Sequence, residues 1–585
     1  GEALTTGDDN IAIGYQTLTS ETAGNRSVAI GNNALDAQNS STDTNIYNVG
    51  VGYAAGGAIT TGANNVLLGA LAGDALTDAD ANVAIGKSAL SADTLGSKSI
   101  AIGLGALQSQ NFSTATDSLN TAVGHGVGAS MTTGQQNTLI GAEAGDAMTD
   151  ALLNVAVGYQ ALSSETSGRK SIGIGYGALL AQNVTTNSDV LNVAVGHFAG
   201  GSVTTGTLNT LMGGLTGDAL TSGNSNTAIG YSSLTADTLG DRNVALGAFT
   251  LTSQNFTTSV DSYNTALGFG TGNDITTGVQ NTLVGGDAGG NITDADYNVA
   301  IGFQSLLTNT VGSRSVAVGY NSLLLQNPAT ATDMYNVAVG FGAGEAVTTG
   351  TDNTFLGGKA GNSDTTGQFN VFVGTDAGEK VTVGSSNVAI GRGALEQDTK
   401  GSKTVAIGQG TLNAQNFTTA TDTYNTAVGH NTGVAITTGK LNTLVGAFAG
   451  DALTDADSNV ALGYAALTSD TLGERSVAIG RDALFNQNFG TATNAYNVAV
   501  GYNAGLSVTS AVQNTLIGAL SGDALTQGAR NTVLGYSALG ADTLGQYAIA
   551  IGYAALTSQN FTTATNNYNI AIGYNAGLNV TTGIH

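Results

Sequence analysis

Cysteine is absent from this chain, so it can build no disulfide, thiolate metal site or cysteine nucleophile, and redox compartment cannot be read from it. Tryptophan is absent too, and aromatics make up only 6% of the residues, which excludes a large conventional aromatic core. Proline occurs once, at Pro328, beside 86 glycines. Collagen needs abundant proline with glycine at every third position, so these glycines serve another architecture. Positive charge is scarce: 16 Lys and Arg stand against 41 Asp and Glu, a formal net charge of −25. Basic residues scattered mostly singly leave no electrostatic footprint for nucleic acid, and the acidity reads as solubility and resistance to lateral clumping. No apolar run approaches the ~18 residues of a membrane span. No basic-then-apolar leader opens the chain, and no membrane insertion of this segment is expected.

What is present is a metre. Thirty-two glycines, each preceded by Ile, Val or Leu (once Met), run from Gly14, Gly31, Gly52, Gly69, Gly86, Gly103, Gly124 and Gly141 to Gly573. Of their 31 intervals, 23 are 17 residues and 8 are 21. One short supersecondary unit stacked on itself produces such spacing, because each unit buries its apolar face against the next. The fold class expected is all-β, a parallel β-solenoid or β-roll with 17- and 21-residue coils. A typical short coil runs from Asn82 through Ala84-Ile85-Gly86 to Ala89-Leu90 and the turn Asp93-Thr94-Leu95-Gly96. Strands this short are stable only when paired in parallel with the same strand one coil away, at about 4.8 Å. The aliphatic residue before each ruler glycine should then form a stack along the rod.

Four coil types recur in order and make a 72-residue superrepeat, so residues 1–585 read as one continuous array of about eight superrepeats. The order is broken once, by an extra 17-residue coil between Gly357 and Gly391. Thirty-one steps predict a rod roughly 150 Å long. The chain opens and closes partway through coils (Gly1 to Leu4 and Thr581 to His585), as a piece of a longer fibre would. A coil contributes few apolar side chains, many of them Ala. At ~25 cal/mol per Å² of burial, against ordering costs of about 1–2 kcal/mol per residue, a thin roll has little margin. Packing several rolls around an axis would supply the missing burial, and a single-chain solenoid stays open as the alternative.

No catalytic constellation stands out: there is no Gly-x-Ser-x-Gly elbow and no metal-ligand spacing, so neither enzymatic activity nor a cofactor is expected. His125, His197 and His430 each follow a ruler glycine, in a slot that elsewhere holds Tyr53, Phe269 or Tyr502. That interchange marks an aromatic packing or surface position. Asp74, Asp78 and Asp80 invite a calcium reading, but Ser222 and Gln527 replace the Asp78 equivalent, and turn capping explains them better. The long coils carry Asn111-Phe112, Asn255-Phe256 and Asn416-Phe417. Their four extra residues form either projecting contact loops, at about 19 Å intervals and strengthened by multivalency, or bulges that bury the Phe. An ice-binding surface is disfavoured, because Thr-x-Thr pairs do not recur at one offset.

Runs such as Ser476-Val477-Ala478-Ile479-Gly480 and Asn387-Val388-Ala389-Ile390-Gly391 resemble the head repeats of YadA-like trimeric autotransporter adhesins. Similar repeats occur in tail fibres of bacteriophages and other viruses. The resemblance implies a left-handed roll assembled as a parallel homotrimer, extracellular, on a virion or cell surface. The function expected is a structural fibre shaft, a virion tail-fibre segment that presents a host-recognition tip. The alternative is the head of a bacterial trimeric surface adhesin. The partners expected are two further copies, a cell-surface receptor or glycan, and neighbouring fibres.

Overall fold

The computed structural model describes residues 1–584, and no helix occurs among them. The chain divides into two units, Gly1–Asp294 and Ala295–His585, each with sixteen three-residue strands in a parallel β-solenoid. In the first unit Ile11–Ile13 pairs in parallel with Val28–Ile30, and Val83–Ile85 with Ile100–Ile102, so that Ala84 lies opposite Ala101. In the second unit Val388–Ile390 pairs with Val405–Ile407 in the same register. A 21-residue winding does not disturb this: Ile100–Ile102 pairs with Thr121–Val123, Ala101 opposite Ala122. Its extra residues are taken up between Asn111 and Asn120, where a second short ladder joins Gly96–Ser97 to Thr116–Asp117.

Strand alternation puts the middle residue inside and its neighbours outside. Ala84 is fully buried, whereas Val83 and Ile85 are only partly covered. The aliphatic residues before the ruler glycines do form a column, but on the outer face: Ile13, Met212 and Leu356 are exposed. Turning back within so few residues demands left-handed backbone. In the winding of Gly86 it occurs at Ala81 (φ 59°), Ser88 (57°) and Leu90 (54°), and the same offsets recur along both units. Such angles are unfavourable for non-glycine residues and persist where the surroundings over-determine them. Here the ladders above and below do so.

At the ruler positions windings approach too closely for any side chain. A Cβ added to Gly69, whose φ is +138°, would sit 2.6 Å from the carbonyl oxygen of Gly86. Buried size then explains the four-winding order. Leu67 replaces the usual Ala inside its strand and lies over Gly56 and Gly73, where an added Cβ would fall 2.6 and 2.9 Å from its methyl groups. Some windings with Ala in the strand carry Leu at the equivalent of Gly73, as Ala84 does with Leu90. The one before a Leu strand carries Gly instead, as Ala122 does with Gly128, whose added Cβ would meet Leu107 and Leu139, both at 2.9 Å. The extra winding is built the same way: Phe355 and Phe372 stack at 5.5 Å over Gly361 and Gly378.

One wall of the interior is polar. Asn48, Asn65 and Asn82 stand four residues before successive ruler glycines and are fully buried. The Oδ1 of Asn48 accepts the Asn65 amide N–H at 2.9 Å, and Asn65 Oδ1 accepts that of Asn82 at 3.0 Å. Asn65 Nδ2 donates to the Ala79 carbonyl and Asn82 Nδ2 to that of Gly96, both at 2.9 Å. Where Asn holds this place, a winding is thereby tied to the next through side chains as well as backbone. The Asn65 and Asn82 amides are thus satisfied, the condition for a polar group to sit in a core without destabilising it.

The ruler positions are therefore intolerant, and a glycine with open space beside it is not. Gly69→Ala is expected to destabilise its unit by at least about 2 kcal/mol. Gly358→Ala, with nothing within 4 Å of its Cβ, should change stability by less than about 0.5 kcal/mol. Thermal unfolding of the two variants measures the contrast.

Candidate functional site

The long windings concentrate the chemistry of this chain. In each, Gln follows the ruler glycine by seven residues, and in the winding before it the same place holds a carboxylate in seven of eight superrepeats, Asn309 being the exception. Asp93 is fully buried. Its Oδ2 accepts Gln110 Nε2 at 2.6 Å, and its Oδ1 accepts the amide N–H of Gly96 at 3.0 Å and of Phe112 at 3.2 Å. Gln110 Oε1 in turn accepts Asn120 Nδ2 at 3.0 Å, which joins the carboxylate to the asparagine wall. The arrangement repeats at Asp237–Gln254–Asn264 and Asp470–Gln487–Asn497. Burial pushes the Asp93, Asp237 and Asp470 carboxyls up, and the glutamine donor pulls each back down.

This network also locates the Asn-Phe pairs. Phe112, Phe256 and Phe417 are 4–6% exposed. The Phe112 ring lies over Gly96, 2.7 Å from where its Cβ would be. Asn111, Asn255 and Asn416 stand outside, each accepting from a threonine hydroxyl: Thr94 at 3.1 Å, Thr238 and Thr399 at 3.0 Å. The two readings of the long coil thus divide between residues, with the Phe inside and Asn111 and residues 113–115 exposed.

Basic residues mostly scattered singly in sequence fall into a row within each unit. Arg26, Lys98, Lys170, Arg242, Arg314, Lys403 and Arg475, seven of the sixteen, occupy one place, five residues before the ruler glycine that opens a long winding. Arg242, Arg314 and Lys403 face both a carboxylate and an aromatic ring of the next winding, whereas Lys98 and Lys170 face a carboxylate and Arg26 and Arg475 a ring. Lys403 Nζ lies 2.6 Å from Asp422 and 5.1 Å from the Tyr424 ring centroid, and its hydrogen bond holds the Asp422 carboxyl below its ordinary range. Arg314 pairs with Asp333 at 2.9 Å and lies over both Tyr297 and Tyr335. Arg242 repeats the set with Asp261 and Tyr263.

The histidines belong to an outer row of rings. His197 stacks on Tyr176 at 5.3 Å, and His430 meets Phe448 edge-on at 5.4 Å; His125 is exposed in the same row. Asp78 accepts from the Thr61 hydroxyl and Asp80 from the Ala63 amide at 2.7 Å, so both join neighbouring windings rather than cap their own turn. Asp74 Oδ1 is buried without a hydrogen bond, and burial raises its carboxyl. Among the described residues no three His, Asp or Glu side chains gather as a metal site. Threonine does recur singly at one offset, eight residues after the ruler glycine, in every winding but the long ones, where Asn replaces it. Thr60 and Thr77 hydroxyls donate to the carbonyls of Thr77 and Thr94 at 3.2 and 3.0 Å.

The extra winding holds one carboxylate unlike the others. Asp364 takes the slot filled by Ile59, Leu76 or Val381 elsewhere and is fully buried. It accepts the Gly367 amide at 2.8 Å and Asn370 Nδ2 at 3.0 Å, and no glutamine reaches it. Burial pushes it up to about 7. The signals for the carboxylate, glutamine and asparagine columns were present as fixed offsets from the ruler glycine. Reading the strand only for its apolar positions passes over them.

No family model matches the chain, and none of the curated proteins does.

Two outcomes are expected. Gln254→Leu leaves Asp237 with backbone amides alone, those of Gly240 and Phe256 among them, and should cost about 2–3 kcal/mol locally. Faster hydrogen exchange at those two amides would report it. Asp364 has a folded value above its unfolded one, so the stability it contributes is full below about pH 4 and is lost as pH rises through about 7. Asp364→Asn should remove that dependence and stabilise the second unit at pH 8 by on the order of a few kcal/mol. Unfolding of both proteins at pH 5 and pH 8 checks the sign.

Proposed function

We propose that this chain is the shaft of an extracellular fibre, a virion tail-fibre segment that holds a recognition tip away from its particle. The observation that carries the reading is the outward aliphatic column. Ile229 in the first unit, and Ile301, Ile390, Ile517 and Leu534 in the second, are 36–45% exposed on the outward strand face, each directly before a ruler glycine. A contiguous apolar strip of this kind is rare on a soluble monomer and marks an interaction surface. The occupant we infer is the same strip on two further copies. Three rolls wound left-handed would close around an axis and leave the charged row and long-winding rims facing water, in line with the likeness to YadA-like head repeats and tail fibres. A net charge of −25 keeps assembled shafts apart. Weak contacts with a cell-surface receptor, a glycan or neighbouring fibres would fall to the exposed residues of the long windings, summed along the shaft.

The adhesin reading uses the same assembly but has the rod itself bind the host. Adhesion of the isolated shaft to host cells separates the two.

Sedimentation combined with light scattering tests the assembly. The expected species is elongated, with three times the 57.9 kDa of one chain. Ile229→Glu with Ile390→Glu, both on the outer face, should return it to single chains without unfolding. A compact wild-type monomer would remove the trimer.

A further inference from the structure

The outer row of rings lapses for four consecutive windings only around the extra one. The residues after the ruler glycines there are Gly358, Thr375, Arg392 and Gln409, between Phe341 and His430. Beside the end of that gap lies a cavity of about 340 Å³, within the second unit. Its floor is low because Gly393 and Gly410 stand in place of longer side chains. A Cβ on Gly393 would fall 2.9 Å from Glu396 Oε2. A three-winding lapse at Ala70, Lys87 and Leu104 has a smaller dent of about 210 Å³, so loss of the rings opens the surface in both places.

The walls are polar and partly preset. Glu396 Oε2 and the Gly393 carbonyl accept both protons of Asn413 Nδ2, at 2.9 and 3.0 Å, and Glu396 Oε1 accepts Gln397 Nε2 at 2.9 Å. Asn413 is therefore held, with its Oδ1 left to accept. Asp376, Arg392, Gln409 and Asn431 also line the cavity, and their side chains make no hydrogen bond or ion pair with other described residues. Two carboxylates disfavour a phosphate or other acceptor-only anion, and the Arg392 guanidinium disfavours a simple cation. Val434 is the one sizeable apolar side chain in the lining, too little for a hydrophobic ligand. A neutral molecule whose groups both donate and accept satisfies carboxylates, amides and guanidinium together. Hydroxyls in number do that.

We propose that this cavity binds a neutral saccharide of one or two rings, the size that roughly 300–400 Å³ admits. It does so once per chain, where the surface stops repeating. Carboxylates and amide oxygens accept from sugar hydroxyls; Arg392 and Gln409 donate to them. The site does not depend on the fibre reading, and its test is separate from the mass measurement above.

The experiment is saturation-transfer NMR on the full chain with glucose, galactose, mannose, N-acetylglucosamine and their β-linked disaccharides, with inorganic phosphate as the anionic probe. At least one sugar should give a saturable signal. Arg392→Ala with Gln409→Ala, both exposed, should weaken it by about tenfold, the loss of two hydrogen bonds, with the thermal transition unchanged. Lys87→Ala in the smaller dent should leave it alone. No binding by any sugar, equal binding in the double variant, or phosphate binding as tight as the best sugar would each overturn the proposal.

Discussion

Close vertical approach of successive windings at the ruler glycines is the constraint on which everything else rests. Where the would-be Cβ of Gly69 points, the carbonyl of Gly86 already stands 2.6 Å away. No other residue permits that approach, so the metre is written by sterics before any interior is considered. Once the windings are that near, their strands pair in register, and the residue two before the glycine must point inward. Ala, Leu and Phe then sort by the room that glycine or leucine leaves in their own and the neighbouring windings. The four-winding order is the period at which a large inward side chain can be seated.

So thin a roll closes its core by a second device. Asn, Gln and Asp sidle into the interior and hydrogen-bond between windings, as Asn65, Asn82 and Gln110 do, and so contribute cohesion where aliphatic volume is short. A buried carboxylate held by one glutamine and two backbone amides is costly if any partner is missing. It therefore favours one order of stacking, a carboxylate winding beneath a long one, over a neighbouring order that would leave it against leucine. Asp364 shows the other outcome, a carboxylate in an apolar slot without a glutamine, and its raised proton affinity follows.

The parallel stacking, the two winding lengths and the place of the extra winding were legible in sequence, because they rest on position alone. Which way a side chain points was harder. The aliphatic residues before the ruler glycines were expected to stack, and their stack lies on the outer face, since the strand's single inward residue is Ala84 or its equivalents. Phe112 and Asn111 are adjacent yet separated by the wall, because the carboxylate of Asp93 draws the Phe112 amide inward. The basic residues looked scattered because their spacing, 72 residues, is far longer than any local pattern. Only folding brings Lys403 to Asp422 and Tyr424.

Inserting one whole winding leaves the ladder intact but alters the phase of everything carried on it. From Arg26 to Arg242 the cationic row recurs every 72 residues, whereas Arg314 and Lys403 are 89 apart. Within the second unit the row thus slips by a single rung, about 4.8 Å, like two scales of a vernier offset by one division. A partner lattice cut to a strict four-rung beat can keep step on one side of Phe372 or on the other, and never across it.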